Sequence, residues 1–200
     1  MTLSDVSIST FDVFVDWLYT QKLPEQGKYS TLDEAVGHWP RLYSNETRNK
    51  TEGLLDLYIF ADGHDIPKLR REVMDVLFTH LNSEDTTPPY YETVVNAFPR
   101  LPERSPVRQL LIDCHCRFFE KSHDDDADAA ELDSRSKLPT DFLVGIMLRH
   151  ADIMALLRIR KIGLIYRLDI CDYHEHASEA EREKCKEECK VIAKWLNKTP

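Results

Sequence analysis

The stretch CDYHEHASEAEREKC, residues 171–185, places two thiols and two imidazoles within fifteen positions. Cys171, His174, His176 and Cys185 together offer the ligand set of a tetrahedral structural zinc site. In extended backbone the two histidines of an H-x-H pair point the same way, Cys171 stands three residues ahead, and Cys185 returns from the helix that follows. Cys189, one helical turn beyond Cys185, is the competing fourth ligand. Four protein ligands would close the coordination shell to catalytic water, and the metal would then staple a short C-terminal unit. Two other readings stand beside this one, because the spacing departs from C-x2-C and H-x3-H patterns. In one, Cys185 and Cys189 are small buried hydrophobes on an amphipathic stripe and the histidines are solvated beside Glu175; in the other, the cysteines form a labile pair.

Other reactive side chains carry less. On a helix the sulfurs of Cys114-His115-Cys116 diverge by about 200 degrees, so they do not share one metal, and burial is the expected role of Cys114. Asp62 and Asp65 resemble paired carboxylates, but a helix end followed by an N-cap accounts for both. His64 between them is expected to cap or solvate that corner. The chain has no P-loop, no G-x-G-x-x-G, no nucleophile elbow and no HExxH, and only 6 glycines for phosphate-cradling loops. The expectation is a protein without enzymatic activity. A cysteine-dependent hydrolase built on Cys114 or Cys171 is the enzymatic alternative.

The scaffold that must position these residues has 200 positions and 42% hydrophobic content, enough for a buried core. Lys and Arg number 26 against 35 Asp and Glu, a net charge of -9, so the field of the protein repels phosphate backbones and disfavours nucleic-acid binding. No apolar run is long enough to span a membrane and the N-terminus has no signal-peptide pattern, which predicts an intracellular protein of the cytoplasm or nucleus. Five cysteines in a reducing compartment favour metal ligation or burial over a disulfide framework.

Apolar periodicity predicts a mostly α-helical chain. Ser9 or Thr10 caps a helix over 10–20 carrying Phe11, Phe14, Val15 and Leu18 on one face. Residues 21–50 lack a sustained period and read as a surface insertion. Thr51 caps a helix with Leu54, Leu55, Tyr58, Ile59 and Ala61 inward, which Gly63 ends, and Pro67 opens another through Leu81. Residues 82–121 form a helical extension, with starts at Pro88-Pro89 and Ser105-Pro106. Residues 122–137 carry six acids, two basic residues and one large apolar side chain, Leu132, and read as an acidic flexible linker. The C-terminal helical region, 138–200, begins with a helix capped by Thr140 that turns Phe142, Leu143, Ile146, Met147 and His150 to one side. The stretch 159–170 fits helix or extended arm, and a last helix runs from Ser178 to about Leu196.

Two segments go beyond generic helix patterns: FDVFVDWLYTQKL at 11–23 and LLDLYIFADGHDIPKLRREVMDVL at 54–77. Together they resemble the second half of a BTB/POZ domain, most closely the fungal BTB proteins with a WLYT segment and an LY-x-FAD segment. The resemblance covers roughly residues 3–81. A C-x-x-YHEH segment followed by a cysteine-bearing helix is likewise similar to the C-terminal part of those proteins. The resemblance implies a strand near Leu3 to Ile8 and a protein that oligomerises with itself or another chain, or acts as an adaptor. It also implies a domain whose front half is missing, through a misplaced start or a truncated paralogue, so no cullin-binding residue is carried over. The helices at 10–20, 54–63 and 66–81 would then need other cover, with Phe14, Trp17, Leu18 and Tyr58 as the expected partner-binding face.

Overall fold

In the computed structural model, residues 6–23, 47–82, 87–158, 168–176 and 178–196 are described; side chains at 47–49 and 188–196 lie outside that description. Among them there are helices and no strands. They are α1 (Ile8–Thr20), α2 (Thr47–Gly63), α3 (Pro67–Leu81), α4 (Tyr91–Ala97), α5 (Pro106–Phe118), α6 (Lys121–Asp125), α7 (Ala129–Arg135), α8 (Thr140–Arg158) and α9 (Glu179–Leu196). Short 3-10 turns at Phe98–Arg100 and Ile170–Asp172 complete the set. The mostly α-helical expectation holds.

Local chemistry sets several helix ends. Ser7, rather than Ser9 or Thr10, caps α1 by accepting from the Thr10 amide at 3.1 Å. The expected strand at Leu3 to Ile8 lies partly outside the described residues, and Ile8 itself opens α1. Helix α2 starts at Thr47, four residues before Thr51, which is buried inside it and meets the His80 ring at 3.1 Å. Of the expected insertion, 24–46 lies outside the described residues. Helix α2 ends at Gly63, but the left-handed conformation falls at Asp65, with φ 51°. The Ile66 amide closes the corner by donating to the Ala61 carbonyl at 2.9 Å.

Helices α2 and α3 form the central hairpin; α1 and α4 pack on α2, α5 meets α3, and α8 lies along α5. Gly145 makes the α5–α8 crossing close, since a Cβ there would run into the Ile112 side chain. One apolar cluster runs through all of this from Val13 to Tyr173, and the fully buried Leu54, Leu69, Leu77, Leu110 and Phe142 are central to it. Each such side chain is worth about 1.5–3 kcal/mol on burial.

Residues 122–137 are not a linker in this structure. They supply α6 and α7, and α7 packs on α4. The acidic side chains that suggested solvation are used locally. Asp128 caps α7 through the Glu131 amide at 2.8 Å, Asp125 pairs with Lys121 and Asp133 with Lys137, and Asp124 accepts from the Tyr91 hydroxyl at 3.1 Å. The face expected on α8 is also divided. Phe142 and Ile146 turn inward, whereas Leu143 and Met147 are 49% and 62% exposed.

Candidate metal centre

The C-terminal cluster is built on a turn rather than a strand. Asp169 accepts from the Cys171 amide at 3.1 Å and starts the 3-10 turn Ile170–Asp172, which leads into a bend at His174. Two anchors seat the turn on the helical body. The Tyr173 ring is buried 5.6 Å from that of Phe78 on α3, and its hydroxyl donates to Asp113 on α5 at 2.7 Å. Arg70 pairs with Glu175 at 2.7 Å, and Arg71 with Glu181 on α9 at 2.7 Å.

This seating brings Cys171, His174 and Cys185 together, with one ligand atom from each lying within 4.8 Å of the others. The sulfurs of Cys171 and Cys185 are 3.4 Å apart, and His174 Nδ1 is 3.1 Å from the Cys185 sulfur. A tetrahedral zinc with bonds of about 2.0–2.3 Å spaces its ligands about 3.5–3.8 Å apart, so the two contacts to Cys185 need to lengthen by only a few tenths of an ångström. On its far side the His174 ring meets Asp75 of α3, Nε2 to Oδ1 2.8 Å. That carboxylate favours a proton on Nε2 and would leave Nδ1 to a metal, the support that ligating histidines commonly have. Burial disfavours the imidazolium, but Asp75 and the Cys185 sulfur outweigh it, so the His174 pKa is raised above its ordinary value in the metal-free protein.

His176 is not gathered with the other three. The expectation that both histidines point alike assumed extended backbone, and a bend replaces it; the two rings stand 5.9 Å apart, edge to face. Both His176 ring nitrogens are nevertheless buried and without a hydrogen-bond partner. Orphaned buried nitrogens beside a thiol and imidazole set fit a metal site in want of a fourth donor. The Cys189 side chain lies outside the described residues. Three of the four side chains expected from the sequence are gathered, and no local pattern pointed to Asp75, which is 99 residues from His174.

The remaining candidates fall elsewhere. Trp17 and Tyr58, expected on a partner-binding face, are 4% and 2% exposed and belong to the core. Trp17 donates its indole N–H to Glu72 on α3 at 2.7 Å and α1 packs on α2, so contacts within the chain itself bury these two side chains. Phe14 is half-buried against Phe60, and Leu18 is 52% exposed. Cys114 is fully buried, and burial pushes its thiol up to about 12; burial pushes Cys116 up to about 11. Neither has the lowered pKa of a nucleophile. His64 stacks on Phe60 and holds the Phe60 carbonyl at 2.8 Å, which closes the α2–α3 corner.

No family model matches this chain, and neither does a curated protein or a solved structure. Among the described residues no helix is long and apolar enough to cross a membrane.

Proposed function

We propose that this chain is a non-enzymatic protein-interaction module that associates with a second copy of itself through α8. The observation that carries the reading is the outward face of that helix. Leu143, Val144, Met147, Leu148 and Met154 recur at helical spacing, and all are between 43% and 62% exposed. Asp141 lies in its first turn and Arg158 in its last, at the two ends of the apolar stripe. Antiparallel pairing of two α8 helices sets Asp141 of one copy beside Arg158 of the other and opposes the two helix dipoles. The BTB/POZ resemblance of residues 3–81 supports the same class of function, since that family works by oligomerisation. Light scattering behind size exclusion tests it. A mass near twice 23.3 kDa that falls to one chain in the double variant M147E/L148E is expected, and a wild type that stays at one chain at high concentration rejects the reading.

In this proposal a structural zinc held by Cys171, His174 and Cys185 staples the C-terminal turn to α9, and the His174–Asp75 bond ties the pair to α3. Elemental mass spectrometry on protein purified without a metal-affinity tag should find about one zinc per chain, lost in Cys171→Ser. His176→Ala and Cys189→Ser decide the fourth ligand, because the variant that lowers affinity as Cys171→Ser does names it. A folded wild type without metal leaves the cluster as a polar turn beside two cysteines.

A further inference from the structure

Cys171 and Cys185 belong to different elements, the 3-10 turn Ile170–Asp172 and helix α9, and their sulfurs touch at 3.4 Å. A disulfide has an S–S bond of about 2.05 Å, so the two atoms need to close by about 1.4 Å. Access to solvent divides the pair. Cys185 is half-buried, whereas Cys171 is 1% exposed. A small oxidant therefore meets Cys185 first, with the second sulfur already in contact behind the point of attack.

The imidazole on the other side of Cys185 supplies what a nucleophilic thiol needs. His174 Nδ1 lies 3.1 Å from the Cys185 sulfur, and its Nε2 meets Asp75 at 2.8 Å. A ring so placed can take the thiol proton as the sulfur attacks, and the carboxylate behind it keeps the ring in position. The thiols of α5 have no such setting. Cys114 is fully buried, and the Cys116 sulfur is turned to the Ile146 carbonyl at 3.9 Å.

We infer that Cys185 is a modification site for hydroperoxides, and that Cys171 resolves the oxidised sulfur into an intramolecular disulfide. In the first step Cys185 Sγ bonds to one peroxide oxygen, the O–O bond breaks, and water or an alcohol leaves with the proton passed on by His174. In the second, Cys171 Sγ attacks the sulfenic sulfur, the S–OH bond breaks, and hydroxide leaves with the Cys171 proton as water. The two sulfurs give up two electrons in all, and the peroxide gains them. The disulfide consumes both sulfur ligands, so disulfide and metal exclude each other while the turn and α9 stay joined in either state. Only this exclusion rests on the zinc reading; the disulfide itself needs the sulfur contact alone.

One equivalent of hydrogen peroxide, added to the full chain after chelation, tests this by intact mass and peptide mapping. A loss of about 2 Da is expected, with a 171–185 cross-link formed at least tenfold faster than any link through Cys114 or Cys116. The linked chain should bind zinc at least tenfold more weakly than the reduced chain. Cys171→Ser should stop at a sulfenic acid on Cys185 that dimedone traps, and Cys185→Ser should give neither the link nor the adduct. A chain that takes up no zinc when reduced and still forms the 171–185 link removes the metal reading and supports this one. Thiols that stay reduced, a link from Cys185 to Cys189 or to a second chain in place of Cys171, or as much dimedone on Cys185→Ser as on Cys171→Ser would each overturn the assignment.

Discussion

The Tyr173 hydroxyl donates to the Asp113 carboxylate at 2.7 Å, a buried bond between residues 60 apart in the chain. Asp113 is held from two further directions, by Arg149 of α8 at 2.7 Å and by Gln109 at 3.1 Å. The turn that carries Cys171 and His174 is thereby tied to the α5–α8 pair. Tyr173→Phe removes one partner and leaves the carboxylate with the other two. We expect a loss of about 1–2 kcal/mol in urea unfolding, against about 3 kcal/mol or more for Asp113→Ala, which strands Arg149 and the hydroxyl together. Equal losses in the two variants would mean that the three partners do not form one network.

Asp75 touches the cluster only through His174. Replacing it with Asn keeps the shape but removes the charge that steadies the ring. Zinc affinity, read by competition with a chromophoric chelator, should fall about 10- to 100-fold in Asp75→Asn while the stoichiometry stays the same. An unchanged affinity would place the ion on other atoms.

The response to pH should reverse sign on metal loading. Without metal, His174 has a folded pKa raised above 6.5, so its bond to Asp75 stabilises fully below that value and the contribution is lost as pH rises through the raised pKa. Zinc takes the neutral ring, so the loaded protein gains stability as pH rises. Unfolding midpoints of chelated and zinc-loaded protein between about pH 5.5 and 8.5, each referred to Asp75→Asn, check this.

His115 titrates the other way. Its folded pKa is depressed from 6.5 to about 4, so the unfolded chain binds the extra proton first and stability falls as pH drops through that window. The full loss is about 3 kcal/mol. Long-range proton–nitrogen spectra should show the His115 ring neutral at pH 5 or so, where exposed histidines are charged. A ring already charged there would mean that water reaches the His115 ring freely.

Sequence patterning alone determined the helical class, the corner at 63–67 and the start of α5 after Ser105, and it marked the segment 171–185 from which Cys171, His174 and Cys185 are gathered. These rest on interactions within a few residues: proline at a helix start, apolar side chains at helical period, ligands on a short turn and the helix after it. Tertiary structure decided what depends on distant partners. It buried Trp17 and Tyr58 within the chain's own core, and it set Asp75 behind His174 and Asp113 behind Tyr173. It also turned His176 away from the three gathered ligands. The acidic segment 122–137 shows the reason most directly. Its composition is that of a solvated chain, yet α4 offers it the Tyr91 hydroxyl and backbone, and those contacts fold it onto the helical body. Composition records how many charges a segment has; only the fold specifies what stands opposite each of them.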